Sequence, residues 1–312
     1  MTVSADRRTG EVLRRLQLDV ERRLDGLLHG DHHGLVPGLG REPGESRRYQ
    51  RGDDVRHMDW NVTARMGTPH VRDTIADREL ETTVLADRSP SLDFGTARQR
   101  KADLVFAVTS AVGLLTQRSG NRFGTVITHA DGIDVSPART GHRHLLSLLH
   151  RLAAASSAPT GAHRCESRPT TFVDGLRRLA GPAHRPGLTV VVSDLLRPGW
   201  DDALRAVCHR HETIVVEVVD RRELELPAVG IIELRDRATG AVTEVDTRRR
   251  TVRERYAEAG RDRLADHAVR VRAAGADHLV LRTDRDWLID LARFVERRRR
   301  GRTARGVRRL PT

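Results

Sequence analysis

The sequence predicts an α/β protein: a doubly wound, mostly parallel sheet flanked by helices, with an N-terminal helix plus an irregular, β-containing segment and a hairpin-helix insertion. Three observations predict it. Short apolar stretches at 82–86, 123–128, 188–192, 213–219 and 278–282 have the length and β-branched content of buried strands. Helical patterns near 101–118, 142–152, 171–180, 201–211 and 286–296 alternate with them, the rhythm of strands joined by crossover helices. Asp131-Gly132 is a tight-turn signal that adds a hairpin at one edge. At 312 residues the chain can bury one large core, or one core and a smaller attached region.

Taken in order, the chain begins with an amphipathic helix. Leu13, Leu16, Val20, Leu24, Leu27 and Leu28 recur at helical spacing and Gly30 ends the pattern. A Gly-, Pro- and His-rich loop follows, and its His29, His32 and His33 lack the spacing and the cysteine partners of a metal site. Residues 47–73 are dense in charge. Asp53, Asp54, Arg56, Asp59, Trp60 and Arg65 crowd together after the Gly52-Asp53 turn. Mixed signs at this density predict a self-paired network bracing an irregular segment, with Trp60 as its apolar anchor. The alternative is an anion or partner site built on Arg56 and Arg65.

The alternation of strands and helices starts near residue 80 and is interrupted once. Between about 220 and 275, two short strands at 231–234 and 242–245 flank Ala238-Thr239-Gly240, and an arginine-rich helix follows with few apolar positions. Its apolar content is too small to fold alone, so it is an insertion on the core. The helix bearing Trp287, Leu288, Leu291, Phe294 and Val295 closes the fold. The expected division is an N-terminal helix and charged segment over 1–78, the α/β domain over 79–300, and a basic tail without regular structure over 301–312.

Charge and composition narrow the function classes. The formal net charge is +12 and the pI is near 11.1, which raises nucleic-acid binding, chiefly through the basic tail. Against it, 55 Lys and Arg include one lysine, Lys101, and the arginines are scattered along the chain. Aromatics at 3% leave little stacking surface, so most of the charge reads as a solvated face and nucleic acid as a disfavoured partner. Cys165 and Cys208 form no disulfide framework or CxxC knuckle, which suits a reducing cytoplasm. No apolar run has membrane-spanning length, and the N-terminus lacks a hydrophobic signal core.

The segment with the clearest chemistry is the end of the first apolar strand. It stops at Asp87, followed by Ser89 and Ser91 at alternating positions, so three hard oxygen donors are aimed from one turn. Ligands in open α/β sheets gather at the carboxyl ends of strands. Asp194, after Ser193, ends a second strand in the same way, and Thr170 or Thr171 opens a helix on the same face. Each residue alone is more simply a cap or turn residue. Together they form a candidate site for a cation of magnesium's kind.

Asp87-x-Ser89-x-Ser91, Thr170 and Asp194 resemble the metal-ion-dependent adhesion site of von Willebrand factor A domains. More specifically, residues 49–65, the LADRSPSLDFG segment and the later LRDRATGAVTEVD resemble the bacterial family called domain of unknown function 58, from about residue 34 to 297. The resemblance implies a von Willebrand A-like domain with a magnesium site, manganese or calcium being the alternatives, in proteins often encoded beside AAA+ ATPases of the MoxR group. It implies Thr170 as the matching threonine, although Pro169 stands where a glycine is usual and Thr171 stays open. Many members carry membrane helices before this region, and this sequence shows none.

The function expected is that of a cytoplasmic, non-enzymatic, magnesium-dependent interaction protein. Ser89 and Ser91 would hold the ion directly, with Asp87, Asp194 and Thr170 direct or through water, and a partner's carboxylate would complete the shell. The partner implied by the resemblance is a MoxR-type ATPase. No Walker lysine loop, HExxH or GxSxG occurs, so those chemistries lack their parts. A metal-dependent phosphoesterase is the runner-up.

Overall fold

A small antiparallel pair, β1 (Ser46–Arg48) and β2 (His70–Arg72), comes first among the described elements, with helix α1 (Trp60–Met66) between its strands. The computed structural model describes residues 46–50, 58–72, 81–118, 120–129, 132–156, 171–235 and 241–307. The helix expected over 13–28, the histidine loop, Asp53, Asp54, Arg56 and Thr170 lie outside the described residues. Asp59 starts α1 by accepting from the backbone N–H groups of Asn61 and Val62, both at 3.2 Å. Gly67, at φ 65°, ends the helix.

Trp60 corrects one expectation. It is 69% exposed rather than buried as an anchor. It occupies the first position of a helix in which no residue is buried.

The main sheet holds β3 (Glu81–Asp87), β4 (Arg122–Thr128), β5 (Ile133–Arg139), β6 (Leu188–Ser193) and β7 (Glu212–Val219). A second antiparallel pair, β8 (Ile231–Arg235) and β9 (Val242–Asp246), stands apart, and β10 (Asp277–Arg282) returns to the sheet. The order is β10-β7-β6-β3-β4-β5, parallel throughout except for the edge pair β4–β5. That edge is the hairpin expected at Asp131-Gly132, closed by His129 N–H donating to the Gly132 carbonyl at 2.8 Å.

Burial on both faces explains why these strands are apolar without strict alternation. Val84 and Ala86 face helices α2 (Lys101–Arg118) and α3 (His142–Ser156) and the last helix, α7 (Trp287–Val307). Leu85 faces the opposite layer of α4 (Thr171–Ala180), α5 (Asp201–Arg210) and α6 (Arg250–Ala274). Each fully buried Val or Leu contributes about 1.5–3 kcal/mol. Helix α4 comes close to the sheet at Gly175, where a Cβ would lie 2.6 Å from Thr128 Cγ2.

Two elements differ from expectation. The final turns of α6 bury His267, Val271 and Ala274, so this helix completes the β7-to-β10 crossover. Helix α7 runs through Val307, past the point at 301 where the basic tail was expected to lose regular structure. Once Leu288, Leu291 and Val295 have docked its early turns, each further residue adds a hydrogen bond without a new nucleation cost.

Candidate functional site at the strand ends

The chain order reverses between β3 and β6. From β3 the chain winds outward through β4 and β5, then returns to place β6 on the other side of β3. Connections therefore leave these two adjacent strands in opposite directions, opening a crevice at their carboxyl ends. Asp87 is the last residue of β3 and Asp194 directly follows β6.

Both carboxylates are 3% exposed. Asp87 Oδ1 accepts from Ser89 N–H at 2.9 Å and from the Thr128 hydroxyl at 3.3 Å, while Oδ2 accepts from the Ser193 hydroxyl at 2.7 Å. Burial, and then the nearby Asp194 carboxylate, raise the Asp87 pKa against these hydrogen bonds. The turn after Asp87 becomes a short 3-10 helix, Pro90–Asp93, pinned by buried Leu92. There the Ser89 and Ser91 hydroxyl oxygens lie 3.0 Å apart. Arg88, inside the triplet, turns away and donates to the Ala102 carbonyl at 2.9 Å.

After Asp194 the backbone is strained. Leu195 has φ 54°, the one non-glycine residue in the left-handed region among the described residues. That conformation costs on the order of 1–2 kcal/mol. Leu195 is held there by its burial, by its own N–H to Ser193 Oγ at 3.2 Å and by Leu196 N–H to Asp194 Oδ1 at 3.3 Å. Strain held in place by surrounding contacts is common at ligand sites.

The structure adds two residues that sequence reasoning missed. Lys101, the first residue of α2, is fully buried and its ammonium donates to Asp194 Oδ2 at 2.9 Å and to Glu223 Oε1 at 2.6 Å. Burial works against the ammonium, but Asp194 and Glu223 together keep its pKa above the ordinary lysine value. Glu223 is itself pushed up, by burial against the pull of Lys101. A second Glu223 oxygen accepts from Asp220 N–H at 2.9 Å in a capping box. Asp220 is completely buried and takes the Thr96 hydroxyl and the Thr283 hydroxyl, both at 2.6 Å. Helix α6 braces the same turn: Tyr256 donates to the Arg222 carbonyl at 3.0 Å, and at Gly260 a Cβ would lie 3.2 Å from the Glu223 carbonyl oxygen.

Two signals for these residues were in the sequence. Lys101 is the single lysine of an arginine-rich chain, and Asp220-Arg221-Arg222-Glu223 has the spacing of a capping box.

A groove of about 1200 Å³ opens beside the site, reached by Ser91 and Glu223 and walled by Phe94, Leu226, Ile232 and Tyr256. Thr171, the other threonine considered, is the buried first residue of α4. Asp59 caps α1, and Arg65 sits in the last turn of that helix. Among the described residues no three His, Cys, Asp or Glu side chains converge as a metal-binding group. A cation here would therefore depend on the serine hydroxyls as well as the two aspartates. The donor set suits a hard ion: every donor is oxygen, and two buried carboxylates lie at neighbouring strand ends.

Comparison with known proteins places the chain. Residues 45–266 match the family described as "Protein of unknown function DUF58". The chain is 47% identical over 302 residues to "Uncharacterized protein Rv1480" of Mycobacterium tuberculosis, covering 96% of this chain and 92% of that protein. The figures are the same, 47% over 302 residues, for "Uncharacterized protein Mb1516" of Mycobacterium bovis. Among solved structures, the conserved hypothetical protein BatB from Bacteroides thetaiotaomicron is similar at a TM-score of 0.41 and 14% identity, over 71% of this chain and 99% of that one. The SpRpn10 VWA domain is similar at 0.37 and 10%, over 70% and 94%. The chain belongs to the DUF58 family, and the mostly parallel sheet expected from its sequence is present.

Proposed function

We propose that this protein is a non-enzymatic interaction module that binds a divalent cation, magnesium in the first instance, and uses it to capture a partner protein. The observation that carries the reading is the pair Asp87 and Asp194, buried on neighbouring strand ends, with Asp87 held above its ordinary pKa beside an open groove. Asp87, Ser89, Ser91 and Asp194, with Thr170 or Thr171, are the residues that would hold the ion. When bound, the cation supplies an open coordination position to a carboxylate from outside. The chain's own residues do the rest: Leu92 fixes the serine turn, Ser193 and Thr128 orient Asp87, and the groove walls exclude water around an incoming segment.

An interaction role fits the site better than catalysis because the one lysine present is kept protonated by two carboxylates and is no base or nucleophile. The partner class follows from the family resemblance: an AAA+ ATPase of the MoxR group, for which this protein would act as adaptor in assembling another complex. No helix among the described residues is long and apolar enough to cross a membrane.

Pull-down of the ATPase by wild type and by Asp87→Ala, with and without chelator, tests the reading. Capture lost on chelation and in the variant is the expected result. Equal capture under all four conditions would sink it. A magnesium-dependent rise in the melting temperature of wild type, absent in Asp87→Ala, is the accompanying solution signature.

A further inference from the structure

We infer that the Lys101 ammonium is a built-in counter-ion that competes with a divalent cation for Asp194, and that Glu223 is the carboxylate that retains the ammonium when the cation takes Asp194. The inference rests on the proposed cation site and names the residues that tune it. Three observations carry it.

The ammonium lies between the two carboxylates, 2.9 Å from Asp194 and 2.6 Å from Glu223, and is fully buried. Its shorter contact is with Glu223, which the Asp220 capping box, Gly260 and Tyr256 of α6 hold in place. Asp194, at the other end, belongs to the candidate ligand set. A cation approaching Asp87, Ser89 and Ser91 therefore meets a carboxylate already neutralised, and has to overcome that pairing before Asp194 attracts it fully.

The choice of residue agrees. Among 55 lysines and arginines this is the single lysine. An ammonium is a compact charge with three donors that rotate freely, able to shift between two carboxylates inside a closed space, whereas a guanidinium is a planar fork that locks onto one geometry. Phe94, whose ring centroid lies 6.0 Å from the ammonium, faces the same space and offers it an apolar wall.

The ammonium thus serves Asp194 and Glu223 together, so the metal-free protein tolerates their burial, and metal affinity is held below what the aspartates alone would give.

Manganese binding to the full chain, followed by electron paramagnetic resonance, separates the outcomes. The variants are Lys101→Met/Glu223→Gln, which removes the ammonium together with the carboxylate it would orphan, and Glu223→Gln, which is isosteric and keeps the test open if the double variant unfolds. The double variant is expected to bind manganese about tenfold more tightly than wild type, because Asp194 loses its competitor. Glu223→Gln is expected to bind about threefold more weakly, because the ammonium is left with Asp194 alone. A merely structural lysine moves both variants in the same direction or neither, and that result overturns the inference. Wild-type binding that is lost in Asp87→Ala, with both Lys101-site variants unchanged, overturns the inference and spares the proposed function. Absence of manganese binding in every variant overturns both.

Discussion

Two charged clusters buried among the described residues differ in how their carboxylates are compensated. Glu217, on β7, is 1% exposed and accepts from His267 Nδ1 at 2.7 Å and from His278 Nε2 at 2.9 Å, so each carboxylate oxygen has its own imidazole donor. Burial pushes its pKa up, but the two histidines outweigh burial and the net shift is downward. Trp200 lies edge-on to His267, and Arg270, paired with Asp201, covers the indole at 4.5 Å. Asp87 meets the same burial with the opposite result: its hydrogen bonds do not offset desolvation and the Asp194 charge, and its pKa rises. Desolvation penalises both carboxylates in the same way. The two net shifts therefore differ in sign: the histidines compensate Glu217, whereas burial and Asp194 dominate at Asp87.

The largest effect that tests this comparison is at the closed cluster. Glu217→Ala leaves two buried imidazoles without their acceptor and is expected to cost about 3–5 kcal/mol in urea unfolding. A loss under about 1 kcal/mol would break the comparison. The same carboxylate sets a pH signature. Because its folded pKa is depressed, its stabilising contribution is present above the ordinary glutamate value of about 4.3 and is lost as the pH falls through the folded value. Wild type is therefore expected to lose stability more steeply than Glu217→Gln as the pH drops below about 4.5, read from urea midpoints across that range.

At the open cluster, Gly260→Val forces a side chain against the turn that carries Glu223. It is expected to cost about 1–3 kcal/mol and to reduce hydrogen-exchange protection at 221–224. Arg270→Ala removes the cover over Trp200 and is expected to cost about 1 kcal/mol while leaving manganese binding as in wild type. The smallest stability change belongs to the residue most important for the proposed function. Asp87→Asn relieves a carboxylate that burial disfavours, so unfolding is expected within about 1 kcal/mol of wild type, on the stable side, while chelator-sensitive capture disappears. Asp87→Asn that unfolds the protein would show Asp87 to be structural, like Glu217.

Much of the fold was legible because its signals are local. The five core strands, the edge hairpin and the β8–β9 pair follow from short apolar runs and turn residues, which act over a few positions of chain. The strand-end placement of Asp87 and Asp194 was legible for a related reason: a carboxylate directly after an apolar run is a strand-end residue wherever the strand goes. Trp60 misled because an aromatic among charges reads as an anchor, and only the folded chain reveals that it is mostly exposed.

By itself, then, the sequence determined the α/β alternation and put two aspartates at strand ends, since both depend on residue period and turn chemistry. Which strands lie side by side was a tertiary decision, and it alone made Asp87 and Asp194 neighbours. The counter-ion was decided the same way. Lys101 meets partners 93 and 122 residues away in the chain, brought together by the docking of α2 and by the capped turn after β7. No local pattern specifies such a contact, because charge pairing in a buried site depends on distance through space and on exclusion of water, and both exist only after the helices have packed on the sheet.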